Sequence, residues 1–123
     1  MSELAISDMM QMQKELWTLH QDTWSPMKPK FGRDFILWMM EEIGESIAII
    51  KKKGDQAIVQ EPSVRAAFLE EMCDVLMYYF DTLLRYDVTA EELSAAYSCK
   101  HILNMNRDFQ KEYQKKFSAQ EEV

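Results

Sequence analysis

From Glu3 to Thr23 the apolar residues Leu4, Met9, Met12, Leu16 and Leu19 recur mostly three or four positions apart with polar residues between them, the period of an amphipathic helix. Two prolines and a glycine in Trp24–Gly32 then force a loop. A second helix is predicted from Arg33 to Lys53, where Lys51, Lys52 and Lys53 suit the negative end of a helix dipole and Gly54 stops the chain. Asp55–Glu61 is a polar connection with room for one helical turn, and Pro62 opens a third long helix that runs to about Tyr86. Thr89 and Glu92 have the spacing of a capping box, which predicts a fourth helix from there to about Phe117. The segment 118–123 is charged and aperiodic and is expected to fray. The pattern is therefore all-α, a bundle of four to five helices in a single domain over residues 1–123.

The second and third long helices are apolar on more than one side, with FILWMM before an acidic string in one and VLMYYF after an acidic string in the other. A helix apolar all round is a buried helix. One short bundle cannot bury both, so a homo-oligomer is expected, a homodimer or homotetramer. Only three glycines and three prolines among 123 residues agree with long helices and few turns. The net charge of −7 argues against a nucleic acid polymer or an anionic membrane as partner. Neither a signal peptide nor a membrane-spanning run is recognisable, and a cytoplasmic protein is the expectation. Cys73 and Cys99 lie in apolar helical sequence and are read as buried thiols.

The chemistry lies in two strings, Glu41-Glu42-Ile43-Gly44-Glu45 and Glu71-Met72-Cys73-Asp74. In each, acids three positions apart return to the same helix face. Their neighbours are apolar: Met39, Met40, Ile43 and Ile47 around one pair, Leu69, Met72, Val75 and Leu76 around the other. Antiparallel packing of the two helices would bring Glu42, Glu45, Glu71 and Asp74 into one site, with Glu41 at its rim. Crowded carboxylates repel one another, and a hard divalent cation, Mg²⁺ or Mn²⁺, relieves that repulsion with an all-oxygen ligand set. Farther on, Lys100, Asn104 and Arg107, with Tyr97 upstream, fall on one stripe and become candidates for phosphate contacts beside such a metal. Trp24 and Trp38 are candidates to stack on a base, although a tryptophan among apolar helical residues is more often core.

Together these residues resemble a known family. EEIGE followed by EMCD resembles the EExxE…ExxD signature of the all-α nucleoside triphosphate pyrophosphohydrolases, the group that contains MazG, the dCTP pyrophosphatases and the dimeric dUTPases. YSCKHILNMNR resembles the stretch Y-x-x-K-x-x-x-N-x-x-R of dUTPase-like members, so the resemblance spans about residues 31–113. It implies a MazG-like helical oligomer with Glu42, Glu45, Glu71 and Asp74 as Mg²⁺ ligands and Lys100, Asn104 and Arg107 as phosphate or sugar contacts. The expected reaction is hydrolysis of the α–β phosphoanhydride of a nucleoside triphosphate to the monophosphate and pyrophosphate, with Glu45 or Glu41 as base. The competing expectation is a non-catalytic helical scaffold or nucleotide-binding protein that keeps the fold. A di-iron carboxylate bundle would require E-x-x-H pairs, which neither acidic string contains.

Overall fold

The computed structural model describes residues 2–121, and all the regular structure among them is helical. Helix α1 spans Ile6–His20, α2 Gly32–Lys53, α3 Asp55–Gln60, α4 Pro62–Arg85, α5 Ala90–Met105 and α6 Phe109–Glu121, with a short 3-10 turn at Pro29–Phe31. The chain divides into two compact units, Met1–Ala90 and Glu91–Val123. None of these helices is long and apolar enough to cross a membrane.

Local chemistry explains the boundaries. Asp8 Oδ2 accepts a hydrogen bond from the Ala5 backbone N–H at 2.9 Å and holds the start of α1. The 3-10 turn leads straight into α2, whose first residue, Gly32, is buried where a side chain would collide with the Tyr86 ring. Gly54 closes α2 by donating its N–H to Ile50 O at 2.9 Å, and it does so at φ 86°, ψ 160°. That backbone region is essentially closed to residues with a Cβ. Gly54→Ala is therefore expected to cost about 1–3 kcal/mol in urea unfolding, and a loss below about 0.5 kcal/mol would mean that the α2–α3 junction relaxes freely. At the other end of the hairpin, α4 finishes in a Schellman arrangement, with Val88 N–H donating to Leu83 O at 3.0 Å and Asp87 N–H to Leu84 O at 3.1 Å. Asp87 takes the left-handed position, φ 58°, that glycine usually fills.

In the first unit, α2 and α4 form the main packed pair. Going down α2 from Phe35 and Trp38 to Glu42 and Glu45, the partners on α4 run backwards from Tyr78 to Glu71, so the two helices are antiparallel, as the acidic strings required. Helices α1 and α3 both pack on α4. The apolar core is small, consisting of Met10, Phe35, Val64 and Phe80. Beside it sits a buried ion pair that the sequence did not single out. The Arg85 guanidinium binds the Asp81 carboxylate through Nε, donates to the Ser25 and Pro26 carbonyls, and lies 3.7 Å from the centre of the Phe35 ring. Gln13 Nε2 donates to the second oxygen of Asp81 at 3.4 Å, so α1, the loop before α2 and the end of α4 meet on one polar cluster.

Three expectations are corrected. The fourth helix does not run unbroken to Phe117, because the chain breaks at 106–108 between α5 and α6. The break has a local cause: Asp108 Oδ1 caps α6 by accepting the Lys111 N–H at 2.9 Å, and Glu112 reaches back to Arg107. Residues 118–121, expected to fray, continue α6, and 122–123 lie outside the described residues. Both cysteines are exposed rather than buried. Cys73 lines an open apolar groove between α1 and α4 with Met9, Met12 and Leu76, and α5, which carries Cys99, has no buried residue at all.

Candidate metal and nucleotide site

The two acidic strings meet across the α2–α4 pair. Carboxylate oxygens of Glu42, Glu45 and Glu71 lie within 4.8 Å of one another, with Glu42 and Glu71 half-buried and Glu45 exposed. Helix geometry explains this, since Glu42 and Glu45 are one turn apart on α2 and face the α4 turn that carries Glu71. Asp74, one turn farther along α4, lies outside that trio but beside Glu42, whose carboxyl group it raises by charge repulsion. Glu41 is exposed.

Electrostatics mark Glu71 as the centre of the cluster. Its carboxyl group is pushed up to about 7, first by hydrogen bonding with Glu45, then with Glu42, then by desolvation and the charges of the same two residues. Glu42 is raised chiefly by desolvation, with Glu45 and Asp74 adding repulsion. Burial also raises the Tyr78 hydroxyl next to them, helped by Glu42 and Asp74. A raised carboxyl value means that between about pH 4.5 and 7 the folded chain holds more protons than the unfolded one, so stability falls as pH rises through that window. In EDTA, the melting temperature of the wild-type chain is thus expected to drop between pH 5 and 8 by more than that of Glu71→Gln. Parallel pH profiles for the two proteins would mean that the three acids do not interact.

One oxygen of this cluster is left over. Glu71 Oε2 is buried and accepts no hydrogen bond. A buried acceptor without a donor costs free energy unless something else satisfies it. With two further carboxylates aimed at the same space, the residues fit a hard divalent cation held by Glu42, Glu45 and Glu71, with Asp74 within reach of the same region.

Alongside lies a cavity of about 490 Å³ that runs from Glu42 and Asp74, between the rings of Trp24, Phe35, Trp38 and Tyr78, to Gln13 and Asp81. Phe35 meets Trp38 edge-on at 4.8 Å and Tyr78 at 6.1 Å, which makes a braced aromatic wall. Trp24 stacks on His20 at 4.7 Å, and its loop is held by Trp17 Nε1 donating to Ser25 O at 2.8 Å. Trp24 and Trp38 are not core residues; both keep more than a third of their surface exposed and line this cavity. Gln13, Phe35, Tyr78 and Asp81 were not legible as site residues. The one available signal was Asp81 and Arg85, an acid and a base one helical turn apart directly after the apolar run VLMYYF.

The expected phosphate stripe belongs to the second unit. Tyr97 is 73% exposed, and Lys100 is exposed as well. Arg107 is already engaged: Nη2 donates to Glu112 Oε2 at 2.7 Å, Nε reaches both Glu112 oxygens, and Nη1 donates to Asn104 Oδ1 at 3.4 Å. The pair raises Arg107 and lowers Glu112, each mainly through their mutual hydrogen bond. Glu112 is the residue missing from the sequence reading, because five positions along an unbroken helix would put it on a different face from Arg107. Compared with family models, curated proteins and solved structures, the chain finds no match in any of the three.

Proposed function

We propose that the protein is a Mg²⁺-dependent nucleotide pyrophosphohydrolase that cleaves the α–β phosphoanhydride of a nucleoside triphosphate, and that it works as a MazG-like homo-oligomer. The observation that carries the reading is the convergence of Glu42, Glu45 and Glu71, with a buried Glu71 oxygen lacking any donor, beside an aromatic-walled cavity that Glu42 also lines. Glu42, Glu45, Glu71 and Asp74 would hold the ion. Bound there, Mg²⁺ (or Mn²⁺) supplies a Lewis acid that offsets phosphate charge and makes a water more acidic. The chain's own part is positional. The four acids would hold the ion that draws the phosphates to the cavity, Glu45 or Glu41 would accept the proton from the attacking water, and the rings of Trp24 and Trp38 would exclude solvent beside the nucleoside. Only the sequence offers Lys100, Asn104, Arg107 and Tyr97 of the second unit as phosphate contacts, and Arg107 must first leave Glu112 to serve as one.

Oligomerisation is supported by what the first unit leaves bare. Leu37, Met40 and Ile47 on α2 are 52%, 61% and 50% exposed, and Leu69 and Met77 on α4 are 51% and 48% exposed. Contiguous apolar faces of that kind mark an interaction surface. Sizing with light scattering at micromolar concentration is expected to give a dimer or tetramer, and a monomer would contradict this part of the proposal.

The catalytic part is tested by following pyrophosphate release from a panel of ribo- and deoxyribonucleoside triphosphates with Mg²⁺ and with EDTA. Equal amounts of monophosphate and pyrophosphate, dependent on the metal, are expected from at least one substrate. No release from any member would leave a nucleotide-binding or scaffold protein. The metal site also has a readout without turnover: a ligand bound only by the folded state adds about 2.7 kcal/mol at 100 times its Kd. Mg²⁺ should therefore raise the melting temperature, and unchanged melting curves would remove the ion from the site.

A further inference from the structure

Two apolar surfaces of the chain are bare in the single copy. The first is the groove between α1 and α4, lined by Met9, Met12 and Leu16 from one helix and Cys73, Leu76 and Met77 from the other, all of them exposed except the half-buried Met9. Methionine side chains are flexible and polarizable, and a groove built from them suits an apolar helix face laid along it. The second surface is one face of α6, where Phe109, Tyr113 and Phe117 recur every four residues and each keeps about half or more of its surface in water. Tyr113 and Phe117 already meet edge-on at 4.8 Å. Helix α6 has 13 residues, a length that is marginal in water unless an apolar face is packed. None of its described side chains is buried, so the chain that carries the stripe does not supply its cover.

The two surfaces match in length and in charge. Phe109 to Phe117 spans about 12 Å of helix, against about 10 Å for Met9 to Leu16 and for Cys73 to Phe80. Acids flank the groove: Asp8 and Glu15 lie one turn to either side of Met12, and Glu70 lies one turn before Cys73, all exposed, whereas Lys14, two positions from Met12, is on another face of α1. The stripe brings Lys111, Lys115 and Lys116, and the acid among them, Glu112, is already paired with Arg107. We propose that the α1–α4 groove binds α6 of a second copy of this chain, with Phe109, Tyr113 and Phe117 seated against the methionines. Each copy has one groove and one stripe, so reciprocal exchange between two copies covers both surfaces and closes without an unpaired end. The contact goes beyond the oligomer proposed above, since a dimer made only through Leu37, Met40 and Ile47 of α2 leaves groove and stripe in water.

Cys73 in the groove serves as the reporter. In the full chain carrying Cys99→Ser, Tyr113→Cys is oxidised gently at micromolar concentration, and the products are resolved on a non-reducing gel and mapped by mass spectrometry. The expected product is a covalent dimer in which Cys73 of one copy is joined to position 113 of the other. A disulfide within one chain would make its own α6 the occupant, one between two Cys73 residues would set groove against groove, one between two copies of position 113 would set stripe against stripe, and no cross-link would leave the groove without α6; each overturns the inference. A second measurement introduces no new thiol. With Cys99→Ser alone, the reaction of Cys73 with a thiol reagent is timed and compared with that of a variant that also carries Tyr113→Asp and Phe117→Asp. The doubly acidic variant is expected to react at least about tenfold faster, the factor for a groove covered about nine-tenths of the time, and an equal rate would overturn the contact. A dimer in sizing whose Cys73 reacts freely sinks this contact and leaves the oligomer proposed above, and neither readout depends on whether the protein hydrolyses a nucleotide.

Discussion

Replacing Glu71 by glutamine is expected to stop pyrophosphate release while making the metal-free protein melt at a higher temperature. The two effects have opposite signs because they come from the same crowding. In the absence of metal, Glu71 faces Glu42 and Glu45 with its carboxyl group raised to about 7, so above that pH its charge is held against two like charges. An amide of nearly the same shape removes one of the charges and brings an NH₂ group that donates to either neighbour. With metal, the same change deletes a ligand, and Gln's neutral oxygen is a poor substitute for a carboxylate toward a hard cation. Activity should fall by at least about 100-fold, the upper end of what losing a group that merely supports a metal ligand costs. The Mg²⁺-dependent rise in melting temperature should shrink with it. Glu42→Gln and Asp74→Asn are expected to lose activity in the same direction. Wild-type turnover in Glu71→Gln, or a lower melting point in EDTA than wild type, would mean that Glu71 belongs to an ordinary solvated helix face.

The largest effect on stability is expected at Arg85. Arg85→Met preserves the aliphatic stem that covers Phe35 but leaves the Asp81 carboxylate buried with only the long Gln13 bond, and strips the Ser25 and Pro26 carbonyls of their donor. Breaking a buried pair by removing one partner costs about 3–5 kcal/mol, which for a chain of this size is on the order of a 10–20 °C drop in melting temperature. Removing both charges tells the pair's role apart from a general intolerance of change. The double variant Asp81→Leu/Arg85→Met is expected to be less destabilised than Arg85→Met alone, since no uncompensated charge remains. A single variant within about 1 kcal/mol of wild type would show that the cluster does not tie the loop before α2 to the end of α4.

Sequence by itself determined the helical class, the stop at Gly54, the start at Pro62 and the acids that meet if α2 and α4 pack antiparallel. All of these follow from local rules: the 3.6-residue period, the φ freedom of glycine, the missing N–H of proline, and the return of positions three apart to one face. The first three hold in the structure with boundary shifts of a few residues, and Glu42, Glu45 and Glu71 do meet. What the tertiary structure decided is which polar groups are removed from water. Asp81 and Arg85 are spaced like any surface ion pair on a helix, and only the packing of α1 and the Ser25–Pro26 loop over them makes them the most deeply buried side chains of the chain's described residues. For Trp24 and Trp38 the sequence left base stacking and core both open, and they stand exposed because the space between α1, α2 and α4 is left unfilled. Arg107 looked like a free cation until the break after α5 let Glu112 fold back onto it. In each case the deciding quantity is desolvation by residues distant in sequence, which depends on how helices pack and leaves no periodic trace in the chain itself.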